Sequence, residues 1–341
     1  MKLRLQFQVF LWVGIILLLY ALWLTFKMPV VQDFIETIAP NRPISVLVGG
    51  DVNLGRKTGQ EILNGNIDFP FLNISETLAE ADITFVNLES QLADLDGETQ
   101  SPTNEYRFAG PPEGAIALHN AGIDIVSLAN NHMWDYGKDR LFETFDNLSA
   151  QEVVYVGADK EPANRFLPKI IEIRGKKIAF FAFTDLLNGY ENNGAGEYVA
   201  FGDEDALISQ ISQIKNKVDW VLVSMHSGAE YTAKPTTRTV TLAHAFVDAG
   251  ADAIIGHHPH VPHPIEIYEG KPIFYSLGNF AFWQPFTFWT QHSFLVQLEL
   301  TKPHELDYEI IPVKAGWQPE ILLDSKDIET LMGRINGTRK N

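Results

Sequence analysis

Cysteine is absent from the 341 residues, which excludes disulfides, thiolate metal ligands and a cysteine nucleophile. Any metal must therefore be held by nitrogen and oxygen. Positive charge is scarce as well: 26 Lys and Arg face 43 Asp and Glu, and the net charge of -17 repels phosphate backbones and argues against nucleic acid as a partner. Nucleotide loops are missing. Gly49-Gly50-Asp51-Val52-Asn53-Leu54-Gly55-Arg56 follows an apolar run but has neither a Gly-Lys-Ser/Thr ending nor the dinucleotide glycine spacing. No Gly-x-Ser-x-Gly elbow presents a serine nucleophile, and there is no internal repeat or low-complexity tract.

Apolar residues make up 45% of the chain, enough to fill the core of one large domain. The run at 7–26, FQVFLWVGIILLLYALWLTF, has the length of a bilayer span and carries no charge. Lys2 and Arg4 precede it, and Asp33 and Glu36 follow, so the charge bias predicts a cytoplasmic N-terminus and an extracytoplasmic remainder. The competing reading, a cleaved signal peptide, fits less well because the run is long for an h-region and lacks a small-x-small site. The expected organisation is a cytoplasmic N-terminus and anchor at 1–27, a stalk at 28–43, a catalytic domain at 44–332 and a polar tail at 333–341.

Within the domain, short apolar runs alternate with helical periodicity. Strands are predicted at 44–48, 83–86, 123–128, 153–156, 220–225 and 253–255, and helices at 74–80, 112–121, 138–148, 204–217 and 236–249. Arg174-Gly175 and Glu269-Gly270 read as hairpin turns between flanking strands, and a β-rich tail follows at 264–313. This alternation predicts a layered α/β core with antiparallel additions.

Five polar clusters sit directly after predicted strands: Asp51 to Asn53, Asn87-Leu88-Glu89, Asn130-Asn131-His132, His226, and His257-His258-Pro259-His260. The carboxyl ends of parallel strands open onto one crevice, so residues remote in sequence meet there. Each cluster also has a plainer reading: Asp51 could close a turn, Glu89 could be an exposed acid, Asn131 and His132 could brace a loop, and His226 could be a satisfied core histidine. Three imidazoles in four positions are harder to explain structurally and are typical of metal sites. His119, His244, His263, His292 and His304 have no comparable setting. Carboxylate, amide and imidazole donors suit one or two ions of Mn, Fe or Zn.

The segments GGDVNLGR (49–56), VNLESQL (86–92), SLANNHMWDYG (127–137), MHSGAEY (225–231) and GADAIIGHHPHVPHPIEIYEGKPIFYSLGNF (250–280) together resemble the CapA family of bacterial poly-γ-glutamate capsule synthesis proteins, itself similar to calcineurin-like metallophosphoesterases. The resemblance spans about 45–282. It implies a metallophosphoesterase-like sandwich of β-sheets flanked by helices. It implies Asp51, Glu89, Asn131, His226, His258 and His260 as metal ligands, with His132 as the catalytic or transition-state-stabilising imidazole; the pairing of His132 with Asp135, three residues on, favours a catalytic role. Two departures stand out: Asn53 replaces the histidine of the usual Asp-x-His, which puts one of two metal positions in doubt, and the bridging acid is Glu89 of Asn-Leu-Glu. Ser227 also replaces a family tryptophan, removing an aromatic wall from the expected pocket.

Two functions follow as expectations. In the first, the chain is a single-pass cell-membrane protein whose outer domain hydrolyses a phosphoester or amide bond during synthesis of poly-γ-glutamate or a related anionic envelope polymer; His132 assists, and Arg56 or Arg107 steadies an anionic group. In the second, it is a non-catalytic metal-binding component of a membrane complex for polymer synthesis or export.

Overall fold

A strand that opens on Ile44 and ends on Val52 organises everything around the site. The computed structural model describes residues 42–336. The expected anchor at 7–26 and nearly all of the stalk lie outside them, and within them no helix is long and apolar enough to cross a membrane. In chain order the first elements are β1 (Ile44–Val52), α1 (Arg56–Leu63), α2 (Ser75–Ala79), β2 (Ile83–Leu88), β3 (Gln91–Leu92), β4 (Ala109–Gly110), α3 (Gly114–Asn120), β5 (Ile125–Ser127), α4 (Gly137–Ala150) and β6 (Val154–Val156). Then come β7 (Lys169–Ile173), β8 (Lys176–Thr184), α5 (Ala195–Tyr198), α6 (Glu204–Ile214), β9 (Trp220–His226), α7 (Thr237–Ala249) and β10 (Ala253–His257). The chain closes with β11 (Ile265–Tyr268), β12 (Lys271–Phe274), β13 (His292–Lys302), β14 (Glu305–Lys314), β15 (Glu320–Ile321) and α8 (Ser325–Ile335).

Two mixed sheets result, ordered β15-β14-β13-β1-β2-β5-β6 and β11-β12-β10-β9-β8-β7. Each has a parallel centre, as the βα alternation predicts, and antiparallel hairpins at an edge. Val46, Val48 and Phe85 of one sheet share a core with Phe180 and Val223 of the other, and Phe180 stacks on Phe85 with ring centres 5.8 Å apart. On the outer side of the first sheet, Leu47, Val86 and Val126 pack against Leu118 of α3 and Phe145 of α4. On the outer side of the second, Phe183 meets Phe246 of α7 edge to face at 5.4 Å. Helices thus flank a sandwich of two sheets, and burying each such aromatic contributes about 2–3 kcal/mol.

Both predicted hairpin turns form for the same reason. Arg174-Gly175 and Glu269-Gly270 each place two successive residues at positive φ, the conformation that matches the twist of the strands they join. At the C-terminus α8 runs past residue 333 to Ile335, whose fully buried side chain belongs to the core; Asp324 caps the helix through Lys326 N and Asp327 N. Helix α1 was also unmarked in the sequence, because its Thr-Gly-Gln-Glu interior lacks a strong apolar stripe.

Candidate metal centre

The first cluster depends on an irregularity in β1. Val48 pairs with Phe85, but the next pairing is Asp51 with Asn87, so β1 spends one more residue than β2 across this step. That bulge returns Asp51 to the inner face, where Val48 and Phe85 already point, and joins it to Asn87. Gly50 makes it possible: a Cβ there would lie 1.9 Å from the carbonyl oxygen of Gly278. From the opposite sheet, β9 and β10 end side by side with His226 and His257 in register. The carboxyl ends of both sheets therefore face one another, and donors from remote segments converge.

Ligand atoms of Asp51, Glu89 and His226 lie within 4.8 Å of one another, all three residues buried. Nδ1 of His260 is 3.1 Å from Asp51 Oδ2, and Nδ1 of His257 is 3.4 Å from Asp51 Oδ1. Oε1 of Glu89 is buried without a hydrogen bond, with Nε2 of His260 at 3.7 Å and Nε2 of His132 at 3.8 Å. The Asn131 amide oxygen lies 2.8 Å from Nε2 of His226, while its Nδ2 donates to Asn188. His258 packs its ring 4.9 Å from that of His226. His258 and His260 both hold positive φ, a strained state for residues other than glycine that re-aims two imidazoles within three positions.

All six expected ligands thus gather at one place, and the complete burial of Glu89 removes its reading as an exposed acid. Two residues left out of that set belong beside them. Asn87 donates to Asp51 Oδ1 at 2.9 Å and to Glu89 Oε2 at 3.3 Å, and its Nδ2 lies 3.4 Å from His226 Nδ1. His257 is fully buried and neither ring nitrogen has a hydrogen-bond partner. Its signal was its place: like His226, it is the last residue of an apolar strand.

Electrostatics explain why this cluster suits a cation. Burial opposes ionisation of Asp51, yet the hydrogen bond from His260 and the close approach of the His257 imidazole outweigh it and hold the carboxyl well below its ordinary range. Burial, then the charge of Asp51, pushes the Glu89 carboxyl well above its own. Burial, reinforced by His258, holds His226 well below the usual imidazole value, and burial with the charge of His260 lowers His258 to about 3. Neutral imidazoles at His226 and His258, two buried carboxylates lacking a Lys or Arg partner among the described residues, and the unpaired buried atoms of Glu89, His257 and His258 fit a divalent ion with nitrogen and oxygen ligands.

Asn53 takes another task. Its Oδ1 accepts the Gly55 N–H at 2.8 Å and so closes the turn into α1, while its buried Nδ2 has no partner. The amide shapes a loop where a histidine would offer a ring nitrogen.

His132 has the setting of an acid–base group. Its Nδ1 lies 2.9 Å from Asp135 Oδ2, which also accepts the Phe108 N–H at 3.3 Å. A carboxylate oxygen only accepts, so Nδ1 of the neutral ring carries the proton and Nε2 faces Glu89 with a free lone pair. Phe108 stacks on this ring at 4.3 Å. Arg107 does not face the centre with a free charge: its guanidinium donates to the Asp135 carbonyl and lies over the Tyr136 ring, bracing the loop that carries His132. Aromatic walls are not lacking despite Ser227, since Phe108, Phe282 and Tyr231 line the histidines from other segments.

The remaining histidines sit elsewhere. His244 stacks on Tyr268 at 3.8 Å and meets Glu266, His304 pairs with Asp252, and His292 contacts Asp327.

A two-sheet sandwich flanked by helices, with acids, amides and imidazoles converging at its strand ends, is the architecture of the metallophosphoesterase-like superfamily. Within it, the chain belongs to the family described as bacterial capsule synthesis protein PGA_cap, whose model matches residues 45–284. It is 32% identical over 293 residues to the capsule biosynthesis protein CapA of Bacillus anthracis, covering 82% of this chain and 70% of that one. It is 33% identical over 267 residues to the PGA biosynthesis protein CapA of Bacillus subtilis (strain 168), covering 77% and 70%. Among solved structures, a hypothetical protein from Thermus thermophilus superposes with a TM-score of 0.48 at 18% identity, covering 79% of this chain and 99% of that one.

Proposed function

We propose that this protein is a metal-dependent hydrolase that cleaves a phosphoester or amide bond in the synthesis of an anionic envelope polymer, poly-γ-glutamate or a related capsule chain, from the outer face of the cell membrane. The observation that carries the hydrolytic reading is the meeting of Asp51, Glu89 and His226, drawn from two sheets, beside His132 with its free Nε2. The relatives named for capsule and PGA biosynthesis support the polymer, and the apolar run at 7–26 supports the anchor.

In this mechanism Asp51, Glu89, Asn131, His226, His258 and His260 would hold one or two divalent ions. When bound, such an ion supplies Lewis-acid charge and makes water nucleophilic near neutral pH. His132 Nε2 moves the proton: it accepts one as water attacks the phosphorus or carbonyl carbon, or returns one to the leaving oxygen or nitrogen as the bond breaks. Asp135 keeps Nδ1 protonated and stabilises the imidazolium that forms. Phe108 and Phe282 exclude bulk water from the two adjoining imidazoles.

A second reading, a non-catalytic metal-binding component of a polymer synthesis or export complex, is favoured by one observation: Asn53 is engaged by its turn where a ligand would stand. Turnover of generic phosphodiesters and of poly-γ-glutamate by the full-length, metal-loaded protein separates the two. Metal-dependent cleavage of either substrate supports hydrolysis; bound metal with no cleavage of both sinks it.

A further inference from the structure

We propose that Arg56 is a specificity residue that grips a second oxyanion of the substrate, a carboxylate or a phosphate next to the group held at the metal centre. The site would then select a polyanionic chain over a singly charged molecule. This deepens the reading of the neighbouring centre as a polymer site, and it concerns binding and not the chemical step.

Arg56 is a half-buried cation without a matching anion. Its Nη2 donates to the Glu105 carbonyl at 3.1 Å, its Nε is buried with no acceptor, and among the described residues no carboxylate forms an ion pair with it. Leaving a desolvated guanidinium in that state is costly unless something else completes it. Part of the compensation is aromatic: the guanidinium carbon lies 4.6 Å from the Phe108 ring centre and 5.6 Å from that of Phe282. Those two rings are the ones that cover His132, at 4.3 Å, and His260, at 5.1 Å. Each phenyl ring therefore has the guanidinium as one neighbour and a site imidazole as another.

That spacing decides the role. From beside the rings that cover the two imidazoles, Arg56 can reach the next anionic group along an extended substrate. The backbone is committed to this placement. Arg56 has φ of 54°, a conformation a side chain disfavours, and Thr99 secures it on both sides: Arg56 N–H donates to the Thr99 carbonyl at 2.8 Å, and Thr99 Oγ1 donates to the Arg56 carbonyl at 2.8 Å. In a chain of net charge -17, an unpaired Arg at the rim of the candidate site is a local reversal of field that an anion would seek.

Calorimetric titration of the full-length protein tests this with a short γ-linked glutamate oligomer and a short linear polyphosphate as chain probes, against acetate and inorganic phosphate. Arg56→Gln is expected to weaken a chain probe by roughly 10- to 100-fold, the scale of a charge-assisted hydrogen bond. Acetate, phosphate, metal content and melting temperature should stay at wild-type values, and Arg56→Lys should recover part of the loss. Loss confined to the glutamate oligomer assigns the carboxylate; loss confined to polyphosphate assigns the phosphate. Wild-type affinity of Arg56→Gln for both chains, an equal loss on acetate and phosphate, or failure of the wild type to bind either chain overturns the proposal. The readout is binding alone, so a failed turnover assay on phosphodiesters and poly-γ-glutamate would sink the hydrolase and leave this inference standing.

Discussion

Asp51 and His260 stand 209 residues apart in the chain and 3.1 Å apart in space, one on a strand of the first sheet and the other just past a strand of the second. No local sequence couples them; the closure of the sandwich does. If they share an ion, removing either side of the pair has the same consequence. Asp51→Ala and His260→Ala are each expected to lose bound divalent metal, measured by elemental analysis, and to melt at the temperature of the chelator-treated wild type. Full metal content in both variants would mean the cluster is structural.

His132 should behave differently from the ligands. Because its Nδ1 is held by Asp135 and its Nε2 is free, His132→Ala is expected to keep its metal while losing activity by roughly a hundredfold or more. Asp135→Asn should lie between, since an amide can leave the ring in the wrong tautomer. A His132→Ala protein that sheds its metal would reassign the residue as a ligand.

Gly50 is the narrowest point of the backbone beneath the site. A methyl group 1.9 Å from the Gly278 carbonyl cannot be absorbed by rotating a side chain, so Gly50→Ala must push the two segments apart. The expected cost is on the order of 3 kcal/mol or more in denaturant unfolding, with metal affinity reduced because the bulge that aims Asp51 is displaced. Unchanged stability would show that the bulge can relax.

His263 supplies a pH dependence separate from the metal ligands. It donates Nε2–H to the Thr232 carbonyl and its Nδ1 is buried without a partner; burial lowers its pKa from 6.5 to about 4. Above pH 6.5 both folded and unfolded forms are neutral and the contribution is complete. Between 6.5 and 4 only the unfolded chain takes the proton, so stability falls with falling pH, by about 3 kcal/mol at most from this residue. Subtracting the pH–stability curve of His263→Gln from that of the wild type should leave this slope; a flat difference would refute it.

For the proposed topology, a reporter fused after residue 341 and active only outside the cytoplasm is expected to function, as the charge bias around 7–26 implies. Activity of a cytoplasm-only reporter at the same point would reverse the orientation.

Periodicity made the βα alternation legible, because Val86 and Leu88 on one face and Phe85 on the other must each meet a packed layer, whichever one it is. The hairpins at Arg174-Gly175 and Glu269-Gly270 were legible for a local reason too, since positive φ is a property of two residues and not of the fold. Family motifs marked Asp51, Glu89, Asn131, His226, His258 and His260, which tertiary structure then brought together. It alone added Asn87 and His257, because their part depends on which strands lie side by side: Asp51 beside Asn87 through a bulge, His226 beside His257 in register. It alone gave Asn53 to a turn and Arg107 to the Asp135 carbonyl, and left Arg56 without an anion among the described residues. Sequence determines what a residue can offer, through its charge, lone pairs and backbone freedom. What remains unpaired once the sheets have closed depends on distances across the sandwich, and those distances are set only by packing.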